Sequence, residues 1–371
     1  MRRRITFPHM GTSHIAIRGM LESIGLEVVT PPPITRRTLS LGTQYSPEFA
    51  CLPLKINLGN FIEAYEMGAN TVVMSGGWGP CRFGYYAQVQ REILKDLGCP
   101  MEMIVLEAPD SRITGILNQV KDLAEGASWL GIIGAVKFGW EKVRALDEVE
   151  MMAQEHRPRV ADQGAVERIY QESLKEIDRA ASRKEVRDAA GGAKEKFASL
   201  GPDWEKEVAR VGIIGEIYTV LEPFVNLNIE RHLGRLGAEA KRSIYLSQWV
   251  NDHLFLGLMP GRGTKELIKN AQPYLNYWVG GHGRETIGAA VYLSQLGYDG
   301  VIQLGPLTCM PEIVAQSILP LVSAREDIPA MTLYFDEHTG EAGLLTRIEA
   351  FLELLRRKKA NRKGTKQLRE A

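Results

Sequence analysis

Three observations predict that this chain is an α/β protein of two pseudo-symmetric, doubly wound parallel-sheet domains with a helical insertion between them. Short apolar runs of strand length alternate with amphipathic stretches of helical length, the pattern of parallel sheets covered on both faces. A segment recurs: Gly68-Ala-Asn-Thr-Val-Val-Met-Ser-Gly-Gly-Trp-Gly-Pro-Cys81 matches Gly297-Tyr-Asp-Gly-Val-Ile-Gln-Leu-Gly-Pro-Leu-Thr-Cys309 in order and in kind. The length, 371 residues, exceeds what one core usually fills.

The elements follow in order. Ile5 to Phe7 reads as a strand, His14 to Ile24 as a helix, and Gly25-Leu-Glu-Val-Val as a helix stop followed by a strand. Leu58, Phe61, Ile62 and Tyr65 fit the i, i+3, i+4, i+7 template of a helix that precedes the Gly68 repeat. Within the repeat, a terminating Gly leads into a short apolar strand, a Gly-Pro turn and a cysteine. An amphipathic stretch follows each cysteine, and new strands begin 22 residues later at Met103 and Met331. Val211 to Ile214, with a helix ending near Leu236-Gly237, repeats the opening strand-helix plan. The domains are therefore expected at residues 1–140 and 208–357, each of Rossmann/flavodoxin-like type. Residues 141–207, rich in Glu, Lys, Arg and Ala, read as charged helices interrupted at Gly191-Gly192 and Pro202, packed on the domains or offering a partner-docking surface. Leu344, Ile348, Phe351 and Leu355 define a last helix, and residues 358–371 a basic tail that lacks a core face and is expected to fray.

Composition narrows the function classes. With 45 basic and 45 acidic side chains the formal charge is zero, so neither nucleic acid nor an anionic membrane is called for as the main partner. The basic Met1 to Arg4 is followed by an apolar stretch broken at Pro8, His9 and Gly11, which is neither a signal peptide nor a membrane span. Four cysteines are too few for a disulfide scaffold, which points to reduced thiols and a cytoplasmic setting.

Three of those cysteines sit where a strand or loop hands over to a helix: Phe-Ala-Cys51-Leu-Pro, Gly-Pro-Cys81-Arg-Phe-Gly and Gly-Pro-Leu-Thr-Cys309-Met-Pro-Glu312. Free N–H groups and the dipole of a helix start stabilise a thiolate, as a metal-ligating or redox-active cysteine requires. In open α/β sheets, ligands gather outside the carboxyl ends of the strands. Cys81 and Cys309 are expected there, facing a crevice between the two domains, with Cys51 and its counterpart by order, His282 in Gly280-Gly-His282-Gly, converging on it. Thiolate-rich sites select zinc, copper(I) or iron-sulfur clusters. Structural zinc ligands come in close pairs, whereas here the gaps are 30 and 228 residues. A cubane [4Fe-4S] cluster gathers ligands from distant loops, and with three cysteines one iron keeps an open coordination position.

The segments Cys51-Leu-Pro-Leu-Lys, Gly-Pro-Cys81-Arg-Phe-Gly-Tyr-Tyr, Gly-Gly-His282-Gly-Arg-Glu-Thr, Gly-Pro-Leu-Thr-Cys309-Met-Pro-Glu312 and Asp336-Glu-His338-Thr-Gly-Glu341-Ala-Gly resemble the 2-hydroxyacyl-CoA dehydratase and benzoyl-CoA reductase superfamily. The closer likeness is to its branch related to the acyl-CoA dehydratase activase, over residues 1–135 and 208–357. The resemblance implies two α/β domains and a [4Fe-4S] cluster held by Cys51, Cys81 and Cys309. It also implies a separate partner, a dimeric ATP-hydrolysing activase of the sugar kinase, Hsp70 and actin type with its own cluster. ATP hydrolysis there drives an electron to low potential for radical dehydration of a 2-hydroxyacyl-CoA or for reduction of a ring. Proven dehydratases pair two related subunits, so a homodimer or a second subunit is expected here. Two further classes stay open: an electron-transfer or assembly partner of the activase that never meets substrate, and a double-cubane reductase of small molecules. A zinc-stabilised binding protein is a more distant alternative.

Among other residues, His282 stands at a helix start, as a hydrogen-bond donor to substrate or cluster or simply as a cap. His338 and Glu341 follow the final strand, where a proton donor is useful, or else close a tight turn. These three are the candidate catalytic residues. Thr12, Ser13 and His14 follow the first strand, with Ser13 equally suited to an N-cap. Gly76-Gly77-Trp78 fits no dinucleotide fingerprint or P-loop, and Cys99, in Leu-Gly-Cys-Pro, reads as structural.

Overall fold

A computed structural model describes residues 2–77, 79–106, 119–124, 126–254 and 264–370, without the side chains of 253, 254 and 362–370. It is a mixed α/β structure with two four-stranded, all-parallel sheets. The chain divides into two compact units, Met1–Leu146 with Leu174–Ala190, and Asp147–Ser173 with Gly191–Ala371.

In unit 1, β1 (Arg4–Thr6), α1 (Ser13–Glu22), β2 (Glu27–Val28), α2 (Arg36–Tyr45), α3 (Leu52–Glu66), β3 (Thr71–Ser75), α4 (Tyr86–Asp96) and β4 (Glu102–Leu106) follow one another. The strand order is β2-β1-β3-β4. Strand β3 shows why the run Thr-Val-Val-Met is apolar on both sides. Val72 and Met74 pack with Leu58, Phe61 and Leu94, whereas Val73 packs with Ile5, Phe7 and Leu21 on the opposite face. The outer strand β2 is two residues long, held through the pairing of Arg4 with Glu27 and Ile5 with Val28 and an exposed Arg4–Glu27 ion pair of 2.8 Å.

Unit 2 repeats the plan. Strand β5 (Ala209–Gly215), α8 (Ile217–Leu221), α9 (Ile229–Arg235), β6 (Ala238–Arg242), α10 (Leu246–Leu254), α11 (Thr264–Ala271), α12 (Gly283–Gln295), β7 (Gly300–Pro306), α13 (Met310–Arg325), β8 (Ala330–Phe335) and α14 (Glu341–Glu370) give the order β6-β5-β7-β8. Val301 faces the cluster of Ile287, Leu293 and Leu319 from α12 and α13. On the other face, a Cβ on Gly300 would lie 2.8 Å from Leu355 and 2.9 Å from Phe351, so α14 lies against the strand there. Leu344, Ile348, Phe351 and Leu355 are buried as their spacing predicts, each contributing roughly 1.5–3 kcal/mol of apolar burial. Helix α14 then continues to Glu370, beyond its apolar stripe, where fraying was expected.

Each copy also carries a helix the sequence reading did not separate, α2 in the first and α11 in the second. These pack on α3 and α12 through glycines. A Cβ on Gly42 would lie 1.8 Å from the Lys55 carbonyl, one on Gly59 1.9 Å from that of Thr38, and one on Gly288 1.8 Å from that of Leu267. The contact is backbone on backbone, and Leu39 and Leu41 are the only aliphatic side chains of α2.

Between the sheets in sequence run α5 (Trp129–His156), α6 (Gln163–Arg179) and α7 (Arg183–Ser199). The first begins well before Glu141, and the Gly191-Gly192 break does not occur: both glycines lie inside α7. The fully buried stripe Val186, Ala193 and Phe197 holds that helix and outweighs the roughly 1 kcal/mol that each glycine costs. Within unit 2 the same segment anchors β6: Arg242, buried, pairs with Glu150 of α5 and Glu230 of α9.

Candidate functional site

In both sheets the strand order reverses between the first and third strands of the copy, and a ligand crevice opens beyond the carboxyl ends at such a reversal. Cys81 follows β3 and Cys309 follows β7, so each lies on a loop that leaves the reversal point of its own sheet. All four cysteines are thiols, with Cys51 and Cys309 buried and Cys81 and Cys99 half-buried.

Cys51 is the N-cap of α3 and Cys309 the N-cap of α13, both in extended conformation and both two residues before a proline. Proline in the first turn has its φ preset for the helix and removes one donor that would have no partner there. Cys81 caps a 3-10 turn, Arg82–Tyr85, that leads into α4. The predicted helix-start placement holds for all three, with a tighter first turn at Cys81.

Unit 1 brings Cys51 and the segment after Cys81 together. The Tyr86 hydroxyl hydrogen-bonds the Cys51 sulfur. On one side of it, Arg82 Nη1 donates to the Phe49 carbonyl at 3.0 Å, and on the other, Gln90 Nε2 donates to the Leu54 carbonyl at 3.2 Å. Arg82 of the 3-10 turn, and Tyr86 and Gln90 one turn apart on α4, all meet the chain where it enters α3.

Unit 2 brings His282 and Cys309 loops together. His282 is the N-cap of α12, after Gly280 and Gly281 with φ of 81° and 47°. A Cβ on Gly283 would lie 2.6 Å from the Pro311 carbonyl oxygen, so the starts of α12 and α13 touch through backbone. Thr308, immediately before Cys309, has φ 68°, a strained value for a β-branched residue. Behind this turn lies a buried polar chain. Thr332 Oγ1 donates to Gln303 Oε1 at 2.8 Å, Gln303 Nε2 donates to Glu312 at 2.8 Å, and Thr286 Oγ1 donates to the same carboxyl at 3.0 Å. Burial pushes the Glu312 carboxyl up to about 8, against which the Gln303 and Thr286 hydrogen bonds act, so it holds its proton at neutral pH. Burial also raises Glu216, which caps α8, and Glu285 in the first turn of α12. Burial, then Glu312 and Cys309, raise Tyr334, and its ring and Glu312 both border Gly305, where a Cβ would lie 3.0 Å from the one and 3.3 Å from the other.

The remaining candidates are placed differently. His338 belongs to a turn closed by Asp336, whose carboxylate accepts from the His338 N–H at 3.0 Å and the Thr339 hydroxyl at 2.7 Å. Glu341, largely exposed at the start of α14, pairs with buried His232 at 3.0 Å. At the end of β1, Thr12 and not Ser13 is the N-cap of α1. His14 stacks on His9 with centroids 4.9 Å apart. Burial and then His9 lower its pKa, keeping it neutral. The Cys99 thiol is raised by burial and then by Glu66, so it stays protonated. Trp78 lies outside the described residues.

Among the described residues no group of three or more His, Cys, Asp or Glu side chains is gathered closely enough for one metal ion. Thiols at helix or turn starts are soft donors, the ligand type that iron-sulfur clusters take. Tyr86, Gln303, Glu312 and Tyr334 were not singled out in the sequence. Tyr86 follows Cys81 by five residues and Glu312 follows Cys309 by three, so a helix-start reading of each motif carried one turn further would have found them. Among the described residues no helix is long and apolar enough to cross a membrane.

A family model described as "CoA enzyme activase uncharacterised domain (DUF2229)" matches residues 9–242. The matched span holds Cys51 and Cys81 and ends before His282, Cys309, His338 and Glu341. None of the curated proteins matches the chain.

Proposed function

The chain belongs to the CoA enzyme activase domain family, and from that membership we propose that it is the iron-sulfur component of an ATP-dependent system that activates a CoA enzyme. The observation that carries the reading is the pair of thiols in unit 1, each at a helix or turn start, with Tyr86 joining the Cys81 segment to the Cys51 sulfur. Cys51, Cys81 and Cys309 are the proposed ligands of a [4Fe-4S] cluster. When bound, it supplies one-electron reduction and one iron open to water or substrate.

The chain's own residues do the rest. Cys51 and Cys309 each stand at a helix start, a position whose free N–H groups suit a metal-ligating sulfur, and their burial keeps bulk water from them. His282, on the turn packed against Pro311, is the hydrogen-bond donor toward substrate. Glu312 stores a proton one turn into the helix that Cys309 caps. His338 and Glu341 are the further proposed proton donors: the His338 backbone N–H is held by Asp336, and Glu341 pairs with His232. The proposed partners are an activase of the sugar kinase, Hsp70 and actin type with its own cluster, and a second copy or a related subunit. The proposed substrate class is an acyl-CoA thioester, dehydrated or reduced in a cytoplasmic, anaerobic setting.

Anaerobic preparation with iron and sulfide analysis tests this. About four irons per chain and an EPR signal on reduction are expected, and a signal changed by an acyl-CoA ester marks an open iron. Cys51→Ala, Cys81→Ala and Cys309→Ala should each lose the cluster, whereas Cys99→Ala should keep it. Zinc without iron would overturn the reading.

A further inference from the structure

We propose that Tyr86 is a positioning residue whose phenol donates a hydrogen bond to the Cys51 sulfur and thereby sets how readily the group held there accepts an electron. The inference rests on the reading of Cys51 as a cluster ligand. Its geometric basis is the three-rung alignment in unit 1, in which Arg82 meets the Phe49 carbonyl, Tyr86 the Cys51 sulfur and Gln90 the Leu54 carbonyl. The outer rungs fix the register of α4 against the start of α3, so the phenol is aimed and not merely nearby. Phe83 packs edge-on against the Tyr86 ring, with centroids 5.3 Å apart and planes at 65°, and restrains its rotation.

Burial makes the contact matter. Tyr86 is 4% exposed and Cys51 9%, and a hydrogen bond between desolvated groups acts through a low dielectric. A donor to a ligand sulfur draws off negative charge and favours the reduced state, one of the means by which a protein tunes a cluster's potential. A single stretch, Cys81-Arg-Phe-Gly-Tyr-Tyr86, thus supplies one thiol and the donor to another. A change in that segment would reach both ligands at once.

The test is an EPR-monitored redox titration of the full chain, reconstituted anaerobically. Tyr86→Phe removes the donor but keeps the ring, and its midpoint should fall below that of the wild type with iron content unchanged. A monofluorinated tyrosine at position 86 keeps the ring and strengthens the donor, and its midpoint should rise. A purely structural role would move both proteins the same way or neither. Midpoints equal to wild type in the two iron-loaded proteins would overturn the role while leaving the cluster site standing. Should Tyr86→Phe fail to hold iron, the fluorinated protein decides alone. A wild-type chain that binds no iron would overturn the site itself and this role with it.

Discussion

Gly283 and the Pro311 carbonyl are in backbone contact: a Cβ at position 283 would lie 2.6 Å from that oxygen and 2.9 Å from Val279. Neither neighbour is the end of a flexible side chain pointing to solvent. Gly283→Ala must therefore push apart the helix starts that carry His282 and Cys309. A loss of roughly 1–3 kcal/mol is expected, the usual cost of overpacking, measured as a lower urea midpoint. If Cys309 ligates a cluster, iron content should fall in the same variant.

Glu312 makes the fold sensitive to alkali. Its carboxyl stands at about 8 in the folded chain against an ordinary 4.5. The neutral carboxyl's contribution to stability is whole below about 4.5 and lost as pH rises through about 8, because the unfolded chain gives up a proton that the folded one keeps. Within that window the slope approaches about 1.4 kcal/mol per pH unit. Asp147, pushed up to about 7 by burial and then by Glu150, adds a loss of the same sign. Comparing Glu312→Gln with wild type in urea denaturation from about pH 5 to about pH 8 isolates the Glu312 share. The variant should show the shallower decline.

Gly191 and Gly192 sit in α7 with open space where a Cβ would go. Substitution to alanine adds no clash and removes freedom from the unfolded chain. Gly191→Ala and Gly192→Ala should each stabilise by roughly 0.5–1 kcal/mol, read as a higher thermal midpoint. Destabilisation by either would mean that the helix is interrupted there after all.

Arg242 neutralises two buried carboxylates, Glu150 and Glu230. Arg242→Met leaves both without their shared cation and should cost roughly 3–5 kcal/mol, measured by urea denaturation. Replacing Glu150 and Glu230 as well, by glutamine, should recover part of that loss.

The sequence revealed the fold wherever side chains set it. The run Thr71-Val-Val-Met is apolar on both faces because both faces are covered, and the repeat of Gly, strand, turn and cysteine appears as two sheets of the same strand order. It failed where backbone sets the packing. Helices α2 and α11 dock through Gly42, Gly59 and Gly288, and a glycine at a close approach contributes no side chain to the pattern that marks a packed helix. The candidate site divides along the same line. The helix-start cysteines follow from local signals, whereas the pairings of Tyr86 with Cys51, Thr286 with Glu312 and Gln303 with Glu312 span 35, 26 and 9 residues of chain, a relation that local spacing does not express.

The outer strands of the two sheets show what separates the copies. Strand β6 is five residues long and ends on a buried arginine clamped by two carboxylates, whereas β2 has two residues and a solvent-washed Arg4–Glu27 pair that adds little. Amides of β6 should exchange with deuterium only through large-scale opening, while those of β2 exchange by local fraying. The first sheet thus keeps an outer edge that can open without dismantling the strand that leads to Cys81.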